Sequence, residues 1–75
     1  MPEIAKRITV DPSIKGGKPV ITGTRVPVEA ILGHLAAGDP VETVVAEYGI
    51  TREDVLAALA YAAELAAHEE VRIVR

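Results

Sequence analysis

Gly16-Gly17-Lys18-Pro19-Val20-Ile21-Thr22-Gly23-Thr24-Arg25-Val26-Pro27-Val28 decides the reading of this chain. Glycine and proline punctuate short β-branched runs, and a helical pattern starts directly afterwards. Lys18–Ile21 and Thr24–Val26 read as extended segments around a turn at Gly23. Pro19 has no N–H and so belongs at a strand's edge or start. Upstream, Arg7-Ile8-Thr9-Val10 alternates polar and apolar as a short strand does, and Asp11-Pro12-Ser13 is a turn signal. Residues 7–28 therefore form an extended, hairpin-like arm, with Gly17, Pro19, Gly23, Thr24 and Pro27 as its turn residues.

Three helices are expected over residues 28–67. The first begins near Pro27, carries Ala30, Ile31, Leu32 and Leu35 on its apolar side, and ends at Gly38. The second opens with Asp39 as cap, Pro40 in the first turn and Glu42 completing a capping box. Val41, Val44, Val45 and Tyr48 supply its inner face, and Gly49 stops it. The third is capped by Thr51 with Asp54 in the box position, and Val55, Leu59, Ala62, Ala63 and Ala66 form a stripe. Leu56, Ala58, Tyr61 and Leu65 leave it apolar nearly all round, which in so small a domain points to a partner subunit. Leu56, Leu59, Tyr61 and Ala63 are accordingly the candidate core or dimer-interface residues. The tail, residues 68–75, alternates and has the pattern of a strand. The fold class is α+β, mainly α: a short N-terminal β-hairpin segment and a three-helix, helix-turn-helix-like bundle, in a single domain of residues 1–75.

The 75 residues carry a net charge of -3, distributed unevenly. Residues 1–28 hold five cations against two carboxylates, and residues 29–75 hold three against nine. A basic arm on an acidic helical body suggests two surfaces with different partners. Lys6, Arg7, Lys15, Lys18 and Arg25, joined by Arg52 at the start of the third helix, are the candidate nucleic-acid contacts. A two-stranded ribbon can enter a major groove. The third helix is a poor base reader, because Glu53 and Asp54 follow Arg52 where donors are needed. Two readings of Arg25 stay open: a nucleic-acid contact, or an internal donor to the turn's carbonyls.

No cysteine is present, which excludes disulfides and thiolate metal sites. His34 and His68 stand in no ligand spacing, and Ser13 has no triad partners, so neither metal, cofactor, small-molecule substrate nor enzymatic activity is expected. Lys18 is followed by Pro19 where a phosphate-binding loop needs Ser or Thr. No apolar run resembles a signal peptide or a membrane span, which gives a cytoplasmic expectation. The absence of Asn, Gln and Cys suggests a thermophilic source.

The block from Gly17 to Val28 resembles the hallmark of a small prokaryotic family, domain-of-unknown-function family 433. Ile8–Pro12, Leu35–Glu42, Tyr48–Val55 and Ala57–Ala62 match that family in order and spacing, so the resemblance covers about residues 7–66. It implies a homeodomain-like fold and similarity to antitoxins of type II toxin–antitoxin pairs. Such proteins are expected to be homodimers, to accompany a PIN-like ribonuclease and to bind operator double-stranded DNA. The alternatives are a stand-alone DNA-binding regulator and a structural interaction module.

Overall fold

The computed structural model describes residues 3–68. Three short strands come first: β1 (Glu3–Ala5), β2 (Ile8–Thr9) and β3 (Val20–Ile21). They form an antiparallel sheet in the order β1-β2-β3, with Ile8 opposite Ile21 and Thr9 opposite Val20. Helices α1 (Val28–Ala36), α2 (Val41–Tyr48) and α3 (Arg52–His68) follow. The fold is α+β and mainly helical, as the sequence indicates.

Two details of the sheet differ from expectation. The third strand is β1, upstream of the arm, and not Thr24–Val26. Glu3-Ile4-Ala5 has one β-branched residue, and its pairing with β2 is interrupted by a bulge between Glu3 and Ala5. Thr24–Val26 instead closes a tight loop: the Ile21 carbonyl accepts from the Thr24 N–H and hydroxyl, and the Val26 N–H donates to Thr24 Oγ1. A single bridge, Val20 with Pro27, is all that continues. Pro27 has no N–H to extend a ladder and stands directly before the helix.

Pro27 flanks α1, which starts at Val28 as expected. A Schellman turn ends it: the Gly38 N–H donates to the Leu35 carbonyl and the Asp39 N–H to the His34 carbonyl, with Gly38 at φ 95. The capping box expected at α2 is absent. The residue flanking α2 is Pro40, which puts Asp39 one position too early to reach the first-turn N–H groups. Its carboxylate turns back to His34 Nδ1 at 2.7 Å, while His34 Nε2 meets the Tyr48 hydroxyl at 2.8 Å. This chain of three side chains ties the end of α1 to the end of α2.

Ile8, Val20, Ile21, Val28, Ile31, Val44, Ile50, Val55 and Ala58 are buried, and Ala5 of β1 packs half-buried against this core, so every strand and α-helix contributes to it. The expected α3 stripe is rotated. Asp54, Val55 and Ala58 face inward, Tyr61 and Ala62 are half-buried, and Leu59, Ala63 and Ala66 point to solvent. Residues 54, 55, 58, 61 and 62 share one side of a helix, and 56, 59, 60 and 63 the other. The alternating tail lies outside the described residues, except for His68, which closes α3.

Candidate functional site

The helix-turn-helix is α2, the link Gly49-Ile50-Thr51, and α3. Gly49 takes the left-handed conformation at φ 64, and the N–H groups of Gly49 and Ile50 both reach the Val45 carbonyl. Ile50 then drops into the core as the chain turns. Thr51 and Asp54 cap α3 reciprocally: Asp54 N donates to Thr51 Oγ1 at 3.1 Å, and Thr51 N donates to Asp54 Oδ2 at 3.0 Å.

Asp54 has a second role. Arg7, in the turn between β1 and β2, donates from Nη1 to Asp54 Oδ1 at 3.1 Å. The Asp54 side chain is only 12% exposed. Burial pushes its carboxyl up, but the Thr51 N–H, the Arg7 guanidinium and the Thr51 hydroxyl more than offset this and hold it below the ordinary carboxylate value. Arg7 sits at φ 65, where a side chain is strained, and its carbonyl accepts from the Thr22 N–H. An internal ion pair therefore holds the candidate nucleic-acid contact Arg7 against the helix.

The other candidates divide into two groups. Lys18 pairs with Glu29 on α1, and Arg52 stands 3.7 Å from Glu42 on α2. Lys6, Lys15 and Arg25 are exposed, and their side chains form no hydrogen bond or ion pair among the described residues. The Ile21 carbonyl at the Gly23 turn accepts from the Thr24 N–H and hydroxyl and the Val26 carbonyl from the Ile21 N–H, and among the described residues the Arg25 side chain donates to no carbonyl of the turn. The structure does not bring the six cations together on one element: Lys6 lies at the β1–β2 turn, Lys15 in a single 3-10 turn, Arg25 before α1, and Arg52 at the start of α3.

The turn residues frame this arrangement. Gly17 and Gly23 have φ of 84 and 80, Pro19 precedes β3 and gives its carbonyl to the Val28 N–H, and Pro27 flanks α1.

Leu56 and Leu59 are 50% and 41% exposed, so neither is core. Ala63 is also exposed, and Tyr61 is half-buried. The inward face of α3 is filled by Val55 and Ala58, which leaves these leucines on the opposite side. Two clefts flank the helix. One, of about 400 Å³, lies between the β1–β2 turn and α3, with Ala5, Leu56, Ala60 and Tyr61 among its walls and Lys6, Glu53 and Glu64 at its lip. The other, of about 280 Å³, lies between α3 and α1, where Leu32, Val28, Ala62 and Leu65 meet the Lys18–Glu29 pair. Among the described residues, no group of three or more His, Cys, Asp or Glu is placed to hold a metal, and no helix is long and apolar enough to cross a membrane.

The sequence reading overlooked three features. The His34–Asp39–Tyr48 chain was signalled only by a histidine and a carboxylate either side of the Gly38 turn. The Arg7–Asp54 pair spans 47 residues of sequence and leaves no local signal. The outward turn of Leu59 was hidden because α3 is apolar on both sides.

A three-stranded N-terminal sheet leading into a helix-turn-helix, with an acidic and apolar outer helix, defines a small α+β helix-turn-helix protein. The chain belongs to the family described as "Protein of unknown function (DUF433)", which matches residues 8–62. It is similar to a DUF433 member protein from Anabaena variabilis, known from a crystal structure at 2.00 Å, with 32% identity and a TM-score of 0.74. That match covers 81% of this chain and 61% of the other. It is also similar to Rv2018 from Mycobacterium tuberculosis, with 36% identity and a TM-score of 0.64, over 69% of this chain and 24% of that one. The chain thus spans less than two thirds of the length of either solved relative. No curated protein matches it.

Proposed function

We propose that the chain is the antitoxin-like member of a type II toxin–antitoxin pair, a homodimeric protein that binds a PIN-like ribonuclease. The observation that carries this reading is the outer side of α3. A helix that reads bases presents donors in its first turns. Here those turns present Glu53 and Leu56, with Arg52 drawn towards Glu42. Exposed leucines surrounded by carboxylates suit a basic protein better than a polyanion. Residues 29–68 hold one cation, Arg52, against seven carboxylates.

Homodimerisation is assigned to the cleft beside Leu65. Leu65 is 51% exposed, and the Lys18–Glu29 pair neutralises the rim, so two copies meet there without like-charge repulsion. The second reading, a DNA-binding regulator, is favoured by the unpaired Lys6, Lys15 and Arg25. Binding through them predicts a log–log salt slope of about -0.9 per phosphate contact.

The deciding experiment is co-purification of the tagged chain with the product of the adjacent open reading frame, eluted in steps of rising salt. A stoichiometric complex with a PIN-like protein that salt dissociates supports the antitoxin reading. A homodimer alone, with no such neighbour, overturns it and favours the regulator.

A further inference from the structure

We propose that the cleft between the β1–β2 turn and α3 is a docking groove for a lysine- or arginine-bearing amphipathic segment of a partner protein. The inference rests on the antitoxin-like reading for the partner's identity and on the groove's own chemistry for its location.

The walls are apolar, with Leu56 half-exposed and Ala60 leaving room beside it. Within the chain, only part of this surface is covered, although an exposed leucine flanked by small residues is well suited to accept a side chain from outside. Charge then selects the occupant. Arg7 also lines the cleft, with its charge offset by Asp54, which leaves Lys6 as the uncompensated cation against Glu53 and Glu64. The helical body behind them adds a negative field, since its described residues, 29–68, hold Arg52 as their one cation against seven carboxylates. A nucleic acid would bring phosphates against these carboxylates. A second copy docking through the same face by a twofold axis would set Glu53 and Glu64 against a second set of carboxylates. A basic partner meets neither objection.

The spacing gives the segment a length. Glu53 and Glu64 are eleven residues apart on one helix, or about 16 Å along its axis. The segment therefore lies along α3, with an apolar side chain over Leu56 and Ala60 and a cation near each end. The surface of a ribonuclease that binds RNA carries cations of this kind, so occupying the groove also masks the partner's substrate-binding charges.

The test uses the full chain labelled with ¹⁵N and a synthetic amphipathic peptide with leucines at helical spacing and lysines elsewhere. Chemical shifts are expected to move at Ala5, Glu53, Leu56, Ala60 and Glu64 and to stay fixed at Leu32 and Leu65. Glu53→Lys with Glu64→Lys should weaken the peptide at least tenfold, and Glu53→Gln with Glu64→Gln by an intermediate factor. Both carboxylates are exposed, so circular dichroism should report an unchanged fold. Shifts confined to other surfaces, unchanged affinity in the charge variants, or equal binding of a glutamate-for-lysine peptide would each overturn the groove. The co-encoded nuclease separates the two claims. If it binds the chain and the charge variants equally, the groove is wrong and the antitoxin reading stands. If no nuclease binds while the peptide maps to the groove, the antitoxin reading is wrong and the groove stands.

Discussion

Asp54 joins two parts of the chain that sequence keeps far apart. It caps α3 through Thr51 and holds the β1–β2 turn through Arg7. Replacing Arg7 by alanine removes a partly exposed ion pair and should cost about 1 kcal/mol, measured by urea unfolding. The cap and the ion pair also set an acid response. The folded carboxyl sits below its ordinary value, so as pH falls the unfolded chain takes up a proton before the folded chain does. The stabilisation is complete above the ordinary carboxylate range near pH 4 and is lost as pH falls through the lower folded value. Asp11, held down by the Ser13 hydroxyl and N–H, acts in the same direction. Tm should therefore be level from neutrality to about pH 5 and drop below pH 4, with a shallower drop in Asp54→Asn. An equal drop in that variant would show that other carboxylates govern acid unfolding.

Helix ends and faces divide according to how local their causes are. The Thr51–Asp54 box was legible because both partners lie three residues apart, within one turn. The Asp39–Glu42 box had the same spacing and did not form, because α2 starts one residue later and His34 competes for Asp39. At Gly49 the left-handed backbone is required, and a methyl group there would meet no atom within 4 Å. Gly49→Ala should accordingly cost about 1 kcal/mol through backbone strain alone, seen as a lower urea midpoint with an unchanged slope. The phase of α3 was not legible. With leucine or alanine on most sides, periodicity identifies a helix without saying which side is inward. Leu59→Ala, at a position read from sequence as core or dimer interface, should change the stability of the single chain by less than about 0.5 kcal/mol in thermal or chemical denaturation. Ile31→Ala, at a site with no exposure, should cost about 2–5 kcal/mol in the same assay.

At the scale of the molecule, the order of sheet and helices was readable because the glycines and prolines that separate them are local signals. β1 was missed because its place depends on pairing with β2 and on little in Glu3-Ile4-Ala5 itself. The charge division between arm and body was visible in the sequence. That Arg7, Lys18 and Arg52 are drawn into internal pairs required the fold. Of the six candidate nucleic-acid contacts, the side chains of Lys6, Lys15 and Arg25 are the ones left unpaired among the described residues. If those three carry all of any DNA binding, replacing them by alanine should abolish its salt dependence while Lys18→Ala leaves the slope unchanged.

The link from Arg7 to Asp54 also bears on how the chain opens. A sheet with strands of three, two and two residues has too little of its own interior to persist alone. Releasing it breaks the grip on Asp54 that supports the start of α3, and loosening that start removes the sheet's anchor. Amide protons of Ile8, Ile21 and Val55 should therefore exchange with solvent deuterium in one cooperative event, while those near the C-terminal end of α3, beyond the last buried residue, exchange earlier and independently.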